Sequence, residues 1–317
     1  MQPTHSIETA LPMLDTVAFV FGACVGSFLN VVVWRLPRHE SLLSPPSHCP
    51  HCNHRLRPWE NVPILAWIFL RARCSSCRNR ISVRYPLVEA LVAIIFFLLW
   101  RRTLTEALPL YSLFPAFFLA GTVIAAGIID LEHRIIPDRL LAPALLAAIV
   151  FSLLWPTASL AAPPRHPAGW LGLAGIGNQP LADWIPPYFL QSAVAVKNVL
   201  LGAVGAGVFM LAIRKVGRLL WGRTAKRAPT GSGEVLGLGD VKLLIVVGAF
   251  VGPDAIVAVI FIASLLGTLA GAAMLAFSRM RRGWSLPYAP YIAAATILWL
   301  LAETQLFALI QRFFIYI

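Results

Sequence analysis

Charge is what this chain has least of. Asp, Glu, Lys and Arg together make up 13% of its 317 residues, about half the ~25% of an ordinary soluble protein. So few charges cannot cover a water-facing surface, which excludes a soluble globule. Acidic residues are the scarcest, 14 against 26 Lys and Arg, leaving a net charge of +12. In a soluble protein that excess would hint at nucleic acid. Beside 58% hydrophobic residues it records orientation instead, because cytoplasmic loops of membrane proteins collect Lys and Arg; no nucleic-acid partner is expected. HExxH, G-x-S-x-G and P-loop motifs are all missing, which removes the sequence grounds for a zincin, a serine hydrolase or a nucleotidase. The glycine-rich stretch 231–237 follows no predicted strand, so it gives little support to a dinucleotide site. Neither an internal repeat nor a low-complexity tract is evident.

What is there in quantity is apolar sequence. Eight runs stand out, at 16–34, 86–100, 110–129, 140–155, 189–213, 236–252, 255–277 and 284–302. The expected class is therefore an all-α polytopic membrane protein of about eight transmembrane helices. Several runs are shorter than the ~20 residues that cross a bilayer comfortably, so some must thin it or start inside it. The first run does not read as a signal peptide: residues 1–12 hold no Lys or Arg, and Glu8 and Asp15 precede the basic Arg35 and Arg38. That polarity places the N-terminus outside the cytoplasm. With alternating crossings, 21 of the 26 Lys and Arg fall on the cytoplasmic side, among them nine arginines between the first two runs. Residues 35–85 become a charged cytoplasmic insert between a first span (1–34) and a transmembrane body (86–317). The Pro-, Gly- and Trp-containing stretch 156–188 becomes an outer loop.

Four of the five cysteines lie in the insert, as Cys49-Pro-His-Cys52 and Cys74-Ser-Ser-Cys77, with 21 residues between the pairs. Two CxxC knuckles so spaced fit a four-thiolate zinc site, each turning both sulfurs toward one ion. Disulfides are the alternative, and a reducing compartment argues against them. Four thiolates leave no open position for water, so the zinc is expected to be structural. His48, His51 and His54 crowd the first knuckle and either replace a sulfur or sit solvated in the loop. Cys24, alone in the first run, reads as a small lipid- or helix-facing residue.

Charged residues at the ends of apolar runs are costly and therefore informative. Asp130 closes the third run in Gly127-Ile-Ile-Asp130, and Asp240 opens the sixth in Gly237-Leu-Gly-Asp240-Val-Lys242. Alternating crossings put both at the cytoplasmic end, where they can meet. Two carboxylates brought together in a partly dry setting cannot both ionise easily, so one keeps a proton. The ionised partner can then take a proton from water while the other polarises a peptide carbonyl. Each aspartate alone could instead cap a helix or pair with a nearby cation. Asp138, after Pro137, is the competing candidate, and it reads better as the N-cap of the next helix. Glu89 and Asn30 could line a polar groove beside the aspartates, or pair with Arg84 and Arg35.

Together these residues resemble the type IV prepilin peptidases, bifunctional leader peptidases and N-methyltransferases of pilus and type II secretion systems. The resemblance runs through Gly26-Ser-Phe-Leu-Asn-Val-Val-Val-Trp-Arg-Leu-Pro37, both CxxC pairs, Glu60-Asn-Val-Pro63, Ile81-Ser-Val-Arg-Tyr-Pro-Leu-Val-Glu89, both aspartate motifs and Leu286-Pro-Tyr-Ala-Pro290. It implies a GxGD-type intramembrane aspartic protease of the bacterial inner membrane with Asp130 and Asp240 as the catalytic pair. Zinc would sit on Cys49, Cys52, Cys74 and Cys77, and S-adenosylmethionine would be the methyl donor, although no cofactor fingerprint marks where it binds. The implied substrate is a prepilin or pseudopilin, cut after a glycine at the cytoplasmic face and methylated on the new N-terminus. A peptidase without methylation, and a non-enzymatic zinc-bearing scaffold or transporter, are the competing readings. The stretch 156–188 is longer than the compact loop the resemblance implies.

Overall fold

The computed structural model of the chain describes residues 4–156, 160, 187–225, 237–277 and 286–315. Among them there is no strand; helices account for nearly all of the ordered backbone. The chain divides into two compact units, Met1–Leu108 and Pro109–Ile317.

The first unit is built on α1 (Thr4–Arg35) and α3 (Arg84–Thr105), with the short α2 (Leu65–Phe69) in the segment between them. The two long helices cross where α1 has no side chains. A Cβ on Gly22 would stand 2.8 Å from Ala93 Cα, and one on Gly26 would stand 2.7 Å from Glu89 Cα. Small residues one turn apart let apolar helices approach backbone to backbone, the main source of helix association in lipid. At the other end of the crossing Asp15 accepts from Trp100 Nε1 at 2.9 Å and from Arg101 Nη1 at 3.0 Å.

The second unit contains α4 (Leu113–His133), α5 (Asp138–Leu154), α6 (Pro187–Ala225), α7 (Leu238–Ala276) and α8 (Ala289–Ile315). Here α4 packs on α8 and α5, and α6 packs on α7. The α6–α7 crossing again has glycine on both sides, because a Cβ on Gly202 would overlap the carbonyl of Gly248 and one on Gly248 that of Gly202. Inside α7, Gly252 adopts φ 83° and ψ 177° just before Pro253, a conformation essentially confined to glycine. It breaks α7 into two arms at the boundary between the sixth and seventh apolar runs.

The eight runs thus fall on α1, α3, α4, α5, α6, the two arms of α7, and α8; residues 236, 284 and 285 of those runs lie outside the described residues. Among the described residues, five helical segments are long and apolar enough to cross a membrane: Leu11–Arg38, Leu110–His133, Tyr188–Leu219, Leu238–Ala276 and Ala289–Leu309. Two helices fall short for visible reasons. α5 has 17 residues, about 26 Å at 1.5 Å each, against a ~30 Å hydrocarbon core. α3 carries Arg84, Glu89, Arg101 and Arg102 along its length. The surface is as apolar as the interior: on α6, Val199, Ala203, Ala206 and Met210 are buried while Leu200, Val204, Val208 and Leu211 stand exposed. That double-sided helix is stable facing lipid and would be a liability in water.

Candidate active site and metal centre

Asp130 lies in the last turn of α4, and Arg134 closes that turn in the left-handed region, φ 58°, its N–H donating to the Asp130 carbonyl at 3.0 Å. The carboxylate itself is buried, 8% exposed, and its Oδ2 accepts the backbone N–H of Ala289 at 3.3 Å. Ala289 is the first residue of α8, so the carboxylate takes one of the orphan donors that every helix N-terminus leaves, with the helix dipole favouring it. Gly127, one turn back on α4, makes room for this: a Cβ there would stand 3.3 Å from Pro290 Cα.

Asp240 is the third residue of α7. Gly237 precedes the helix in extended conformation, and a Cβ on it would stand 3.2 Å from Asp240 Oδ2. Gly239 rests on Ile136, whose Cβ lies 3.2 Å from where its own would be, which ties the start of α7 to the α4–α5 connection. The glycines of the Gly-Leu-Gly-Asp turn therefore clear space for a carboxylate and for a neighbouring chain. Asp240 lies within electrostatic reach of Asp130 and of Tyr288, whose hydroxyl is 3.1 Å from Ser264 Oγ. Asp130, Asp240 and Tyr288 come from the end of α4, the start of α7 and the residue before α8, all within the second unit. Tyr288 belongs to the Leu286-Pro-Tyr-Ala-Pro290 segment, whose residue pattern alone does not assign it a place beside the aspartates.

Asp138 is placed elsewhere. Pro137, not Asp138, occupies the N-cap of α5, and Asp138 makes no capping bond. Its two oxygens accept Lys242 Nζ at 2.7 and 2.9 Å. Capping fails here because Asp138 is already inside the helix, and the ammonium is the better partner.

The four cysteines of the first unit converge. All four sulfurs lie within 4.8 Å of one another, with 3.9 Å from Cys49 to Cys77 and from Cys52 to Cys74. Zinc–thiolate bonds of ~2.3 Å at tetrahedral angles put sulfurs about 3.8 Å apart, whereas a disulfide needs ~2.05 Å. The donor set fits zinc. The two knuckles share one backbone design: Cys49 N–H donates to His54 O and Asn53 N–H returns to Cys49 O, while Cys74 N–H donates to Asn79 O and Arg78 N–H returns to Cys74 O. Asn53 and Arg78 both take positive φ, 56° and 61°, and a single β-bridge clamps each turn, His48 to Arg55 and Arg73 to Arg80. Burial disfavours ionising Cys74, but the N–H groups of Cys77 and Ser76 outweigh it and bring the thiol down to about 7, toward the thiolate a metal requires. No histidine joins the sulfurs among the described residues: His54 Nε2 pairs with Glu60 at 3.2 Å and His48 Nδ1 lies 3.1 Å from Pro46 O. Cys24 is exposed on α1.

Residues 20–103 match the bacterial peptidase A24 N-terminal domain and residues 117–272 the type IV leader peptidase family. A prepilin leader peptidase/N-methyltransferase of Pseudomonas putida is 33% identical over 311 residues, covering 90% of each chain. The chain belongs to the type IV leader peptidase family. Another member, from Myxococcus xanthus and of the same name, is 36% identical over 264 residues, 83% of this chain and 64% of that longer one. A third, from Pseudomonas aeruginosa, is 28% identical across 91% of this chain and 95% of its own. No solved structure matches.

Each family match carries one of the two constellations: the N-terminal domain holds the cysteines, and the leader peptidase segment holds Asp130 and Asp240. Asn30 and Glu89 belong with the first. Asn30 Nδ2 donates to Tyr85 O at 3.2 Å, and Glu89 Oε2 accepts the backbone N–H of Ile64 at 2.7 Å. Neither takes the headgroup pairing with Arg35 or Arg84 that was the alternative. The loop at 157–186 (apart from residue 160) and the stretch 226–236 lie outside the described residues.

Proposed function

We propose that the protein cleaves the short basic leader from type IV prepilins or pseudopilins after a glycine and methylates the new N-terminal amine. The observation that carries the peptidase half is the gathering of Asp130 and Asp240, the first held on the N-terminus of α8, in a member of this family. Like charges at close range do not both ionise freely, so the pair holds one proton. The ionised carboxylate takes a proton from water as its oxygen attacks the scissile carbonyl carbon, and the protonated one hydrogen-bonds the carbonyl oxygen. Collapse of the tetrahedral carbon breaks the C–N bond, with a proton passing to the leaving amine.

The site works at the cytoplasmic face of the bacterial inner membrane, where the arginine-rich insert 35–85 grips anionic headgroups and the substrate helix enters sideways. Cys49, Cys52, Cys74 and Cys77 hold a structural zinc that fixes the insert as a small domain between the first span, 1–34, and the transmembrane body, 86–317. When bound, S-adenosylmethionine supplies an electrophilic methyl group to the amine, whose lone pair forms the N–C bond as the C–S pair returns to sulfur and a proton leaves nitrogen. The test is incubation of the purified chain with a prepilin and S-adenosylmethionine, scored by mass spectrometry. Cleavage abolished by Asp130→Asn and by Asp240→Asn is expected; retained cleavage in either variant would sink the dyad.

A further inference from the structure

The segment between the two long helices of the first unit carries a face that no described residue covers. On α2 the side chains of Leu65, Ile68 and Phe69 share one side of the helix, and all three are exposed, Phe69 to 79%. The opposite side turns inward: Ala66 is buried, and Trp67 donates from Nε1 to Ile81 O at 3.1 Å. Positions i, i+3 and i+4 make one apolar stripe, and a contiguous stripe of large apolar side chains marks an interaction surface. Just before it Trp59 is exposed as well, with the Arg57 guanidinium 5.5 Å from its ring centroid.

Hydrogen bonds fix the depth of this face. Glu89 Oε2 accepts the Ile64 N–H at 2.7 Å. Glu89 is the sixth residue of α3, about 7.5 Å inside its end at 1.5 Å per residue. Gly26, which meets the Glu89 backbone, lies nine residues short of the end of α1 at Arg35. α2 therefore begins beside the body of the helix pair, not beyond it. At this level the pair already turns apolar side chains outward, Leu87 from α3 and Phe28 from α1. The helix also closes without open donors: the N–H groups of Leu70, Arg71 and Ala72 donate to Ala66, Ile68 and Trp67 O at 2.9 to 3.0 Å, as backbone set into lipid must. Charge frames the stripe. Residues 35–85 hold nine arginines against Glu40 and Glu60, and Glu60 is taken by His54 and the Arg57 N–H. Arg71 and Arg73, both exposed, follow α2 directly. Trp before an apolar stripe and basic residues after it are the pattern of a helix lying in the membrane surface. A soluble partner could reach this face only by displacing the lipid around α1 and α3.

We propose that α2 is a membrane-surface anchor: Leu65, Ile68 and Phe69 enter the acyl region of the leaflet that α1 and α3 cross at this end, and Arg71 and Arg73 meet headgroup phosphates. The anchor deepens the headgroup contact proposed above, on which it rests for the membrane setting, and adds apolar insertion. It holds the cysteine knuckles against the bilayer. The experiment places a benzophenone side chain at position 69 of the full chain, in nanodiscs of phosphatidylethanolamine and phosphatidylglycerol, and irradiates it. Adducts with phospholipid acyl chains are expected; adducts with a second copy of the chain only, or none, would overturn the anchor. A second readout needs no photoprobe, because trypsin cuts after Arg71 and Arg73 and nicking follows the population in which α2 has lifted. Ile68→Glu and Phe69→Glu should each speed that nicking roughly tenfold or more, the factor for one large apolar side chain losing its burial, with bound zinc at the wild-type level. Nicking at the wild-type rate in both variants would overturn the anchor. Should zinc be lost from the variants, the photoprobe decides alone. Neither readout involves prepilin, so a chain that failed to cleave it would refute the proposed function and leave the anchor standing.

Discussion

The two units of this molecule assemble their chemistry by opposite means. In the first, four sulfurs are set by local turns: each knuckle is closed by three contacts within eight residues, and the pattern is used twice. In the second, Asp130 and Asp240 stand 110 positions apart in the sequence and depend on helix packing, with Gly127 giving α8 room against α4 and Gly239 seating the start of α7 on Ile136. A local site survives as long as its turns do, and a metal would lock it. A site made by helix packing depends on every crossing between its parts. The two should therefore fail separately and under different perturbations.

The sharpest break is chemical. Asp130→Asn or Asp240→Asn should lower prepilin cleavage by about 10⁴-fold or more, the scale seen when groups acting as a unit lose one member. Bound zinc, measured by elemental analysis of the purified variants, should remain at the wild-type level. Cleavage lost together with zinc would mean the units are not independent. Cys74→Ser is the converse. Removing one buried sulfur should release the metal and expose the knuckle amides of Cys49, Asn53, Cys74 and Arg78 to hydrogen exchange, because metal affinity and local folding are one free energy here. Protection in the α6–α7 crossing of the second unit should not change.

Next come the crossings. Gly202→Val inserts side-chain atoms where the Gly248 carbonyl already lies, and Gly22→Val does the same against Ala93 and Phe96. Overpacking of this kind costs about 1–3 kcal/mol, readable as a lower unfolding midpoint in detergent. The distinction is functional: Gly202→Val should depress cleavage with bound zinc unchanged, while Gly22→Val should leave hydrogen-exchange protection in the second unit unchanged. Matching losses of cleavage and of second-unit protection in both variants would erase the contrast between the units.

How much of this was legible in the sequence follows the same division. CxxC spacing specifies a knuckle because the geometry is contained in eight residues, so the four cysteines that cluster could be named without a fold. The twin backbone design is not legible in the sequence, since 48–55 and 73–80 share little beyond their cysteines and a final Arg; hydrogen bonds and φ values repeat where side chains do not. The aspartates were readable because acid at the end of an apolar run is rare. Their contact with Ala289 was not, since nothing in local sequence says which helix N-terminus will face them. The Gly22/Gly26 crossing did carry a signal, two glycines four apart. The Glu89–Ile64 bond did not, because it spans 25 residues and requires an irregular backbone no propensity predicts.

The smallest expected effect tests the one placement that changed. In sequence Asp138 reads as a helix cap, with a place in the dyad instead of Asp130 as the alternative. It is instead the partner of Lys242, with side-chain exposures of 68% and 49%. An ion pair so open to solvent contributes at most about 1 kcal/mol and often nothing measurable. Asp138→Asn and Lys242→Met should then shift the unfolding midpoint little and leave cleavage within about threefold of wild type, and the double variant should show almost no coupling between them. Lys242 lies two residues beyond Asp240, so a neighbourly role in holding the α7 start is the point at risk. If Lys242→Met lowered cleavage strongly while Asp138→Asn did not, the ammonium would act on Asp240 and not through its visible partner. If Asp138→Asn abolished cleavage with the fold intact, Asp138 would displace Asp130 from the pair.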